Sequence, residues 1–354
     1  MALRRGRRSG LRASAWLRYL GVLGPVTLAA VTVLAATGCS PAAAPANAAT
    51  GSSHSLTIAQ AEAAYASYLQ ASDAAAAQGN ATLGEENAGG AQLLLVQSQY
   101  IALATARTPV PRYRYGQPVF YVPALAGYPQ WFMVAVPRTT VVNGQPGAAA
   151  NTIMVFERLK ANLPWTLDGV AELDQALPAI SRDQDGYAID ARTEESGLLL
   201  RPNVLGATQG AVVDEGPASA AAAVIGGGPL TTGLYAAQNA KANADSARGL
   251  VYQWLLEGAA FPQFELRTAD GGVLVVYSMY LETTAEHQGL ASGSPIPVPA
   301  DVVPLLVAPG EIGYHAVEAN WTFEYAAVDP PAAARGAKVQ IIGAGGGPTA
   351  GHAY

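Results

Sequence analysis

Val273-Leu274-Val275-Val276-Tyr277-Ser278-Met279-Tyr280-Leu281-Glu282 is the stretch on which the fold turns. It is rich in β-branched and aromatic residues, and Asp270-Gly271-Gly272 stands just before it. That pairing reads as a strand leaving a hairpin turn, with Phe261 to Arg267 as the strand that enters it. Downstream, Ala316 to Ala327 alternates with a period of two. Val317, Ala319, Trp321, Phe323 and Tyr325 fall on one face, and Glu318, Asn320, Thr322 and Glu324 on the other. Lys338 to Ile342 closes the sheet, and Gly343 onward reads as a loose tail.

Upstream of these strands the pattern is helical. Leu234 to Leu256 carries it, with Gly249 weakening the middle, and Pro217 to Ala223 fits a short helix. The first part of the chain repeats the plan. Thr57 is placed to cap a helix carrying Ile58, Tyr65, Tyr68 and Leu69 on one stripe. Gly79-Asn80 breaks it, and Ala88 to Ala106 forms another. Strands follow at Pro118 to Pro123, Trp131 to Val136, Thr152 to Arg158 and Trp165 to Leu167. Asn143-Gly144 is a turn signal, with the next residues predicting a long loop. Strands without intervening helices point to antiparallel pairing with helices on one face. The expected class is α+β, as two halves at 56–180 and 229–343, joined by 181–228 and ending in a flexible tail at 344–354. Leu198-Leu199-Leu200 fits a strand crossing between the halves. Tyr-Pro-Gln-Trp-Phe at 128–132 echoes Phe-Pro-Gln-Phe-Glu at 261–265.

The chain opens with Arg4, Arg5, Arg7, Arg8, Arg12 and Arg18 and no acid, then runs apolar from about Leu20 to Ala36. That layout is a secretory signal, short for a membrane span of about 20 residues. The run ends in Leu34-Ala35-Ala36-Thr37-Gly38-Cys39-Ser40, which resembles the bacterial lipobox, with Ala36 where leucine is usual. Cys39 is the one cysteine of the chain, so no internal disulfide can account for it. The resemblance implies that residues 1–38 are a signal peptide and that Cys39 is acylated. Two acyl chains hold a protein to a bilayer where one does not. Residues 39–55, small and polar, read as a tether. The expected address is the outer face of the cytoplasmic membrane.

Six of the 20 basic residues lie in the signal and no acid does, which leaves 14 against 26, a formal charge of −12 on the mature chain. Such a surface repels phosphate backbones, so nucleic acid is not an expected partner. Half the residues are apolar and 13% are charged, enough for a packed core.

Helices followed by a curved antiparallel sheet is the order of the cystatin-like cone fold of SnoaL-like domains. Met154-Val155-Phe156-Glu157-Arg158 with Pro164-Trp165-Thr166-Leu167 resembles its two closing strands. The whole chain is similar to uncharacterised lipoproteins of actinobacteria that carry domains of unknown function. Neither resemblance supplies functional residues.

The residues offer little chemistry. His54, His287, His315 and His352 stand at no metal-binding spacing, although His287 with Glu286 and Glu282 is a conceivable set in space. No Gly-x-Ser-x-Gly elbow is present, and the glycines at 226–228 and 343–347 lead into no Gly-Lys-Ser/Thr. Glu318 and Glu324 are six residues apart on one face, too far to cooperate. Asp183-Gln184-Asp185-Gly186 is an incomplete calcium loop, and Asp168, Glu172 and Asp174 read as a solvated helix start. Aromatics crowd one region, and Tyr115, Tyr121, Tyr128, Trp131 and Phe132 are candidates for a pocket or docking surface, or else core. No cofactor, metal or catalytic residue is expected. The reading is a lipid-anchored binding or interaction module of the cell envelope, with an envelope protein or small apolar ligand as partner. Its alternatives are a SnoaL-like hydrolase or isomerase using carboxylates in a pocket, and a structural envelope component.

Overall fold

The computed structural model describes residues 56–142, 144–191, 197–289, 294–308 and 310–354. Residues 1–55, with the expected signal peptide, Cys39 and the expected tether, lie outside these. Thr57 closes a capping box: its hydroxyl accepts from Gln60 N at 3.2 Å while Gln60 Oε1 accepts from Thr57 N at 2.9 Å. The helix it starts, α1 (Ile58–Gln78), ends on Gly79 in the left-handed region. Asn80 caps α2 (Ala81–Glu85), and α3 (Gly90–Ala106) follows. Then come β1 (Arg112–Tyr115), β2 (Val119–Tyr121), β3 (Gln130–Val142), β4 (Gln145–Arg158) and β5 (Thr166–Leu173). The second run has α4 (Pro202–Glu215) and α5 (Thr232–Ser246). It continues with β6 (Leu250–Gly258), β7 (Phe264–Arg267), β8 (Val273–His287), β9 (Ala316–Asp329) and β10 (Gln340–Ala353).

All ten strands join one antiparallel sheet in the order β1-β3-β4-β5-β10-β9-β8-β6, with β2 on β3 and β7 on β8. The earlier strands lie to one side of the β5/β10 join and the later ones to the other. That join is narrow: only Leu173 with Gly343 and Glu172 with Ala344 are paired.

Three apolar clusters show how the layers stack. Phe132, Val134, Met154 and Phe156 face α1, meeting Ala61, Ala64 and Tyr65. The opposite side of the same strands, Trp131, Met133, Ile153 and Val155, meets Leu274 and Val276 of β8 and Ala326 of β9. The reverse of β8 and β9, with Val275, Tyr277, Met279 and Tyr325, packs beneath Leu205, Val212 and Val213 of α4. The sheet therefore folds over on itself near β5 and β10. Strands of the two runs pack face to face with helices outside them.

Four expectations are corrected. Leu234–Leu256 is not one helix, because α5 stops at Ser246 and Gly249, at φ +76°, turns the chain into β6. The long loop after Val142 is a two-residue turn: Val142 pairs with Gln145, and Gly144 has φ +77°. Asn143 itself is outside the described residues. Asp168 and Glu172 are strand residues of β5, not a helix start. Residues 344–353 are strand, not tail, because β10 is wedged between β9 and β5. A side chain on Gly345 would place its Cβ 2.2 Å from Val170 O, so glycine marks a close backbone approach rather than a loose end. The polar face of β9 is not wholly solvated either, since Thr322 and Glu324 are buried.

Leu198-Leu199-Leu200 runs beside the end of β9. Leu199 N donates to Pro330 O at 3.0 Å, and Leu200 N donates to the Asp329 carboxylate. Burial raises Asp329 to a pKa of about 6, against the pull of these amides. Among the described residues, no helix is long and apolar enough to cross a membrane.

Candidate functional site

Beneath α3 lies a cavity of about 520 Å³, within the size range of small-ligand sites. Its roof is α3, presenting Gln92, Leu95, Ser98, Gln99, Ala102, Leu103 and Ala106. The floor is Val170 of β5, Glu324 of β9, and Gly345 to Pro348 of β10. Tyr113 and Arg138 close one side, and Asp301, Pro304 and Leu305 of the proline-rich loop close another.

The roof is pinned at one end. Leu167 N donates to Asn87 O and Gly89 N donates to Leu167 O, both at 2.9 Å, so the chain entering α3 runs along β5. Asp168 sits against that entry. A Cβ on Gly89 would fall 2.4 Å from Asp168 Oδ1, so the helix start closes directly over the carboxylate. A helix N-terminus favours a negative charge. Thr166 Oγ1 also donates to Asp168 Oδ1 at 2.6 Å. Burial still raises the Asp168 pKa, with the Thr166 and Glu157 side chains opposing the rise.

Glu324 is the chemical feature of the floor. It is 1% exposed. Its partner position on β10 is Gly345, which has no side chain to obstruct it, and its Oε2 accepts from Val170 N at 2.7 Å. That amide belongs to β5 beyond the two residues that pair with β10, so the carboxyl supplies the acceptor that the ladder does not. Glu324 Oε1 is buried and has no hydrogen-bond partner among the described residues, and the residue contributes to the cavity floor. Burial pushes Glu324 up to a pKa of about 8, the Val170 amide opposes this, Asp168 adds to it and Arg138 opposes it. At neutral pH the group is therefore mostly a carboxylic acid, able to donate as well as accept.

Arg138 stands beside it. Its Nη2 donates to Glu172 Oε1 at 3.0 Å, and the Glu172 side chain is itself half exposed. The guanidinium lies 4.7 Å over the Tyr113 ring. Its Nε is buried without a partner. Burial disfavours the Arg138 charge, but Tyr113 and Glu172 outweigh it and raise the pKa. Arg138, Glu324 and Asp301 are thus the charged or ionisable side chains of the lining beside Tyr113, and much of the rest is Leu, Ala, Pro and Gly.

The aromatic candidates scatter. Trp131 and Phe132 are fully buried on opposite faces of β3, in different clusters. Tyr115 lines a smaller cleft of about 70 Å³ that shares Tyr113, Arg138, Gln92 and Gln99 with the main cavity. Burial raises its phenol well above the ordinary range. Tyr121 is half-buried with Arg182 over its ring at 5.2 Å, and Tyr128 is exposed beneath Arg158 at 5.3 Å. Asp183 folds its own loop, its Oδ1 accepting from Asp185 N and Tyr187 N at 2.9 Å. His287 Nε2 is 3.0 Å from Ser294 O. Glu282 is raised by burial and then by Glu257 and Glu318 nearby. Cys39 is outside the described residues.

Arg138 escaped notice in the sequence, and Glu324 read only as one of two same-face carboxylates too far apart to cooperate. The available signal was the register: Glu324 lies opposite the glycine run of β10, but only the pairing reveals it.

The family described as Domain of unknown function (DUF8094) matches residues 53–353, and the chain belongs to that family. An uncharacterized lipoprotein of Streptomyces avermitilis is 31% identical over 176 residues, 48% of each chain. An uncharacterized lipoprotein of Streptomyces coelicolor is 29% identical over 203 residues, 53% of each. The chain thus spans about half the length of the curated relatives it matches. No solved structure matches it. Both of these relatives are named as uncharacterized lipoproteins.

Proposed function

We propose that this member of a lipoprotein family is a binding module, held by lipid on Cys39 at the outer face of the cytoplasmic membrane, that takes a small molecule into the cavity beneath α3. The observation that carries the reading is the chamber of about 520 Å³ with the buried, half-satisfied carboxyl of Glu324 in its floor. The halves correspond in this reading to two cystatin-like units, supported by helices preceding strands in each run.

Binding of the fluorescent probe 1-anilinonaphthalene-8-sulfonate tests the cavity. A single saturable site is expected in the wild type, lost when Ala102→Trp fills the space beneath α3. Equal binding in both proteins would move the site elsewhere and end this reading. The anchor is tested by growth with a palmitate analogue: label is expected on the wild type and absent from Cys39→Ala, and label retained by the variant overturns acylation at that residue.

A second reading has one observation in its favour. A buried glutamic acid with a pKa of about 8 is suited to general acid–base work near neutral pH, as in a SnoaL-like hydrolase or isomerase. Turnover of any bound compound would then vanish in Glu324→Gln while its binding remained. If turnover survived that substitution, Glu324 would not be the acid or base.

A further inference from the structure

We infer that the tip of the proline-rich loop, built around Val307 and Ile312, is a second membrane contact that dips into the outer leaflet beside the lipid anchor. This contact lies outside the cavity and rests on the acylation of Cys39 proposed above.

Four large apolar side chains stand in water within one short stretch: Val303 at 49% exposure, Val307 at 76%, Ile312 at 50% and Tyr314 at 42%. The backbone holds them in place. Val303–Leu305 is a 3-10 turn, and Val307 N donates to Gly351 O at 3.2 Å. Glu311 N donates to Ala308 O at 3.2 Å, closing a turn with Val307 and Ile312 on its two flanks. Pro309, inside that turn, lies outside the described residues. Glu311 is the only acid from Val302 to Tyr314, and the stretch has no base. Its carboxylate is turned back into the protein: Oε1 accepts from Ala308 N and Oε2 from Ala353 N, both at 3.0 Å, with His352 Nδ1 3.4 Å away. The side chain is only 13% exposed. The tip therefore presents apolar surface without charge, and the exposed Asp301 and His315 stand beyond its two ends. Tyr314 suits the headgroup level, where an apolar ring with a polar end is favoured.

A bilayer fits this tip better than a second copy does. Four side chains at a turn bury far less than the roughly 1,200 Å² at the low end of stable protein interfaces. The seventeen residues from Cys39 to Ser55 reach at most about 60 Å. A compact domain of this size is about 50 Å across, so any of its faces can be brought to the lipid. The anchor makes docking intramolecular, and a few buried apolar groups then suffice. No Lys or Arg lies between Arg267 and Arg335, so apolar burial supplies the contact instead of attraction to anionic headgroups. Pro304 and Leu305 of the same stretch line the cavity, so docking brings that wall toward the membrane.

The test uses the full lipidated chain, one copy per phosphatidylcholine nanodisc. Acylation takes up the thiol of Cys39, so Val307→Cys carries the one free thiol and accepts a single nitroxide. Its relaxation by oxygen, which concentrates in lipid, is compared with relaxation by a water-soluble nickel chelate. The Val307 nitroxide is expected to lose access to nickel and gain access to oxygen. A nitroxide on Leu159→Cys, an exposed site outside the loop, is expected to stay open to nickel. Adding Ile312→Asp to the Val307→Cys chain is expected to return the label to water, because a carboxylate in the tip opposes insertion. A Val307 label as open to nickel as the Leu159 label overturns the docking. So does a label that stays in lipid despite Ile312→Asp, since the nitroxide would then be inserting by itself. Protection that appears only with two copies per nanodisc overturns it too and assigns the tip to a second chain. If Ile312→Asp fails to fold, hydrogen exchange at 303–314 decides. Slower exchange is expected on the nanodisc than in the same chain cut from its anchor within residues 39–55, and equal exchange overturns the docking. A chain that does not copurify with nanodiscs overturns anchor and docking together, whereas a nanodisc-bound chain with its tip in water overturns the docking alone.

Discussion

The helices α3 and α4 both lie against the sheet, α3 over β5, β10 and β9 and α4 over β6 and β8, yet they seat differently. α4 buries seven of its fourteen residues, whereas α3 buries two of its seventeen, Ala91 and Ser98. The cause is side-chain size. α4 turns Gly206 and Gly210 to the strands, and a Cβ on Gly210 would fall 2.2 Å from Leu256 O. Backbone therefore meets backbone, and the polar groups beneath α4 are satisfied. Tyr277 donates to Gln209 Oε1, Gln209 Nε2 donates to Leu230 O at 3.1 Å, and Trp254 Nε1 donates to Val213 O at 3.1 Å. α3 places Leu95, Ser98 and Ala102 over a floor of glycines, stands off, and leaves Glu324 Oε1 and Arg138 Nε unsatisfied. One side of the molecule spends its packing on stability, and the other keeps space and unmet hydrogen bonds. The proposed binding site is on the looser side.

The sharpest way to break this contrast is a single methyl on the tight side. Gly210→Ala forces α4 off β6 and is expected to cost about 3 kcal/mol, toward the upper end for overpacking, despite the better helix propensity of alanine. Urea denaturation measures it, and a loss below about 0.5 kcal/mol would show that α4 is not seated backbone to backbone.

Next in size is the pH response of the loose side. Glu324 is held at a pKa of about 8 against an ordinary value of 4.5. Between those values the folded chain keeps a proton that the unfolded chain has released, so stability falls as pH rises from 4.5 to 8 and levels off above. The total is on the order of a few kcal/mol. Thermal melts of Glu324→Gln should match the wild type at pH 4.5 and exceed it at pH 9. Parallel curves across that range would place the charge of Glu324 outside the buried floor.

The cap of α1 is expected to matter less. Thr57→Ala removes one half of the capping box and should cost about 1 kcal/mol in the same denaturation assay. An unchanged midpoint would mean that the first turn contributes nothing to the global transition. The smallest effect is predicted at Gly347, where an added Cβ meets no atom within 4 Å. Gly347→Ala should be neutral or stabilise by up to about 0.5 kcal/mol through the unfolded chain, the opposite sign from Gly210→Ala. A clear loss there would mean that the space above β10 is already filled.

Local pattern made most of the elements legible. The capping residue Thr57 and the break at Gly79 bound α1, and the strands at 131–136, 152–158 and 273–282 fall within β3, β4 and β8. Trp131 and Phe132, grouped in the sequence as one candidate surface, face opposite ways, and both faces of β3 are buried there. The failures share a cause. Gly249 and the glycines of β10 were weighed by propensity, which treats glycine as a breaker, whereas one turns a helix into a strand and the others admit a neighbouring backbone. The candidate site was harder still, because Arg138, Val170 and Glu324 are far apart in sequence and have nothing unusual in their local patterns.

By itself, then, the sequence determined the mixed class and most helix and strand positions, and it set the expectation of an export signal ending at the lone cysteine. These depend on near neighbours: capping, periodicity, turn chemistry and composition. Tertiary structure alone decided that one sheet carries all ten strands, that β10 lies between β5 and β9, and that a carboxyl on a seemingly solvated face ends up in the dark. Strand partnership is a contest among all edges of the chain at once, and burial follows from which edges win.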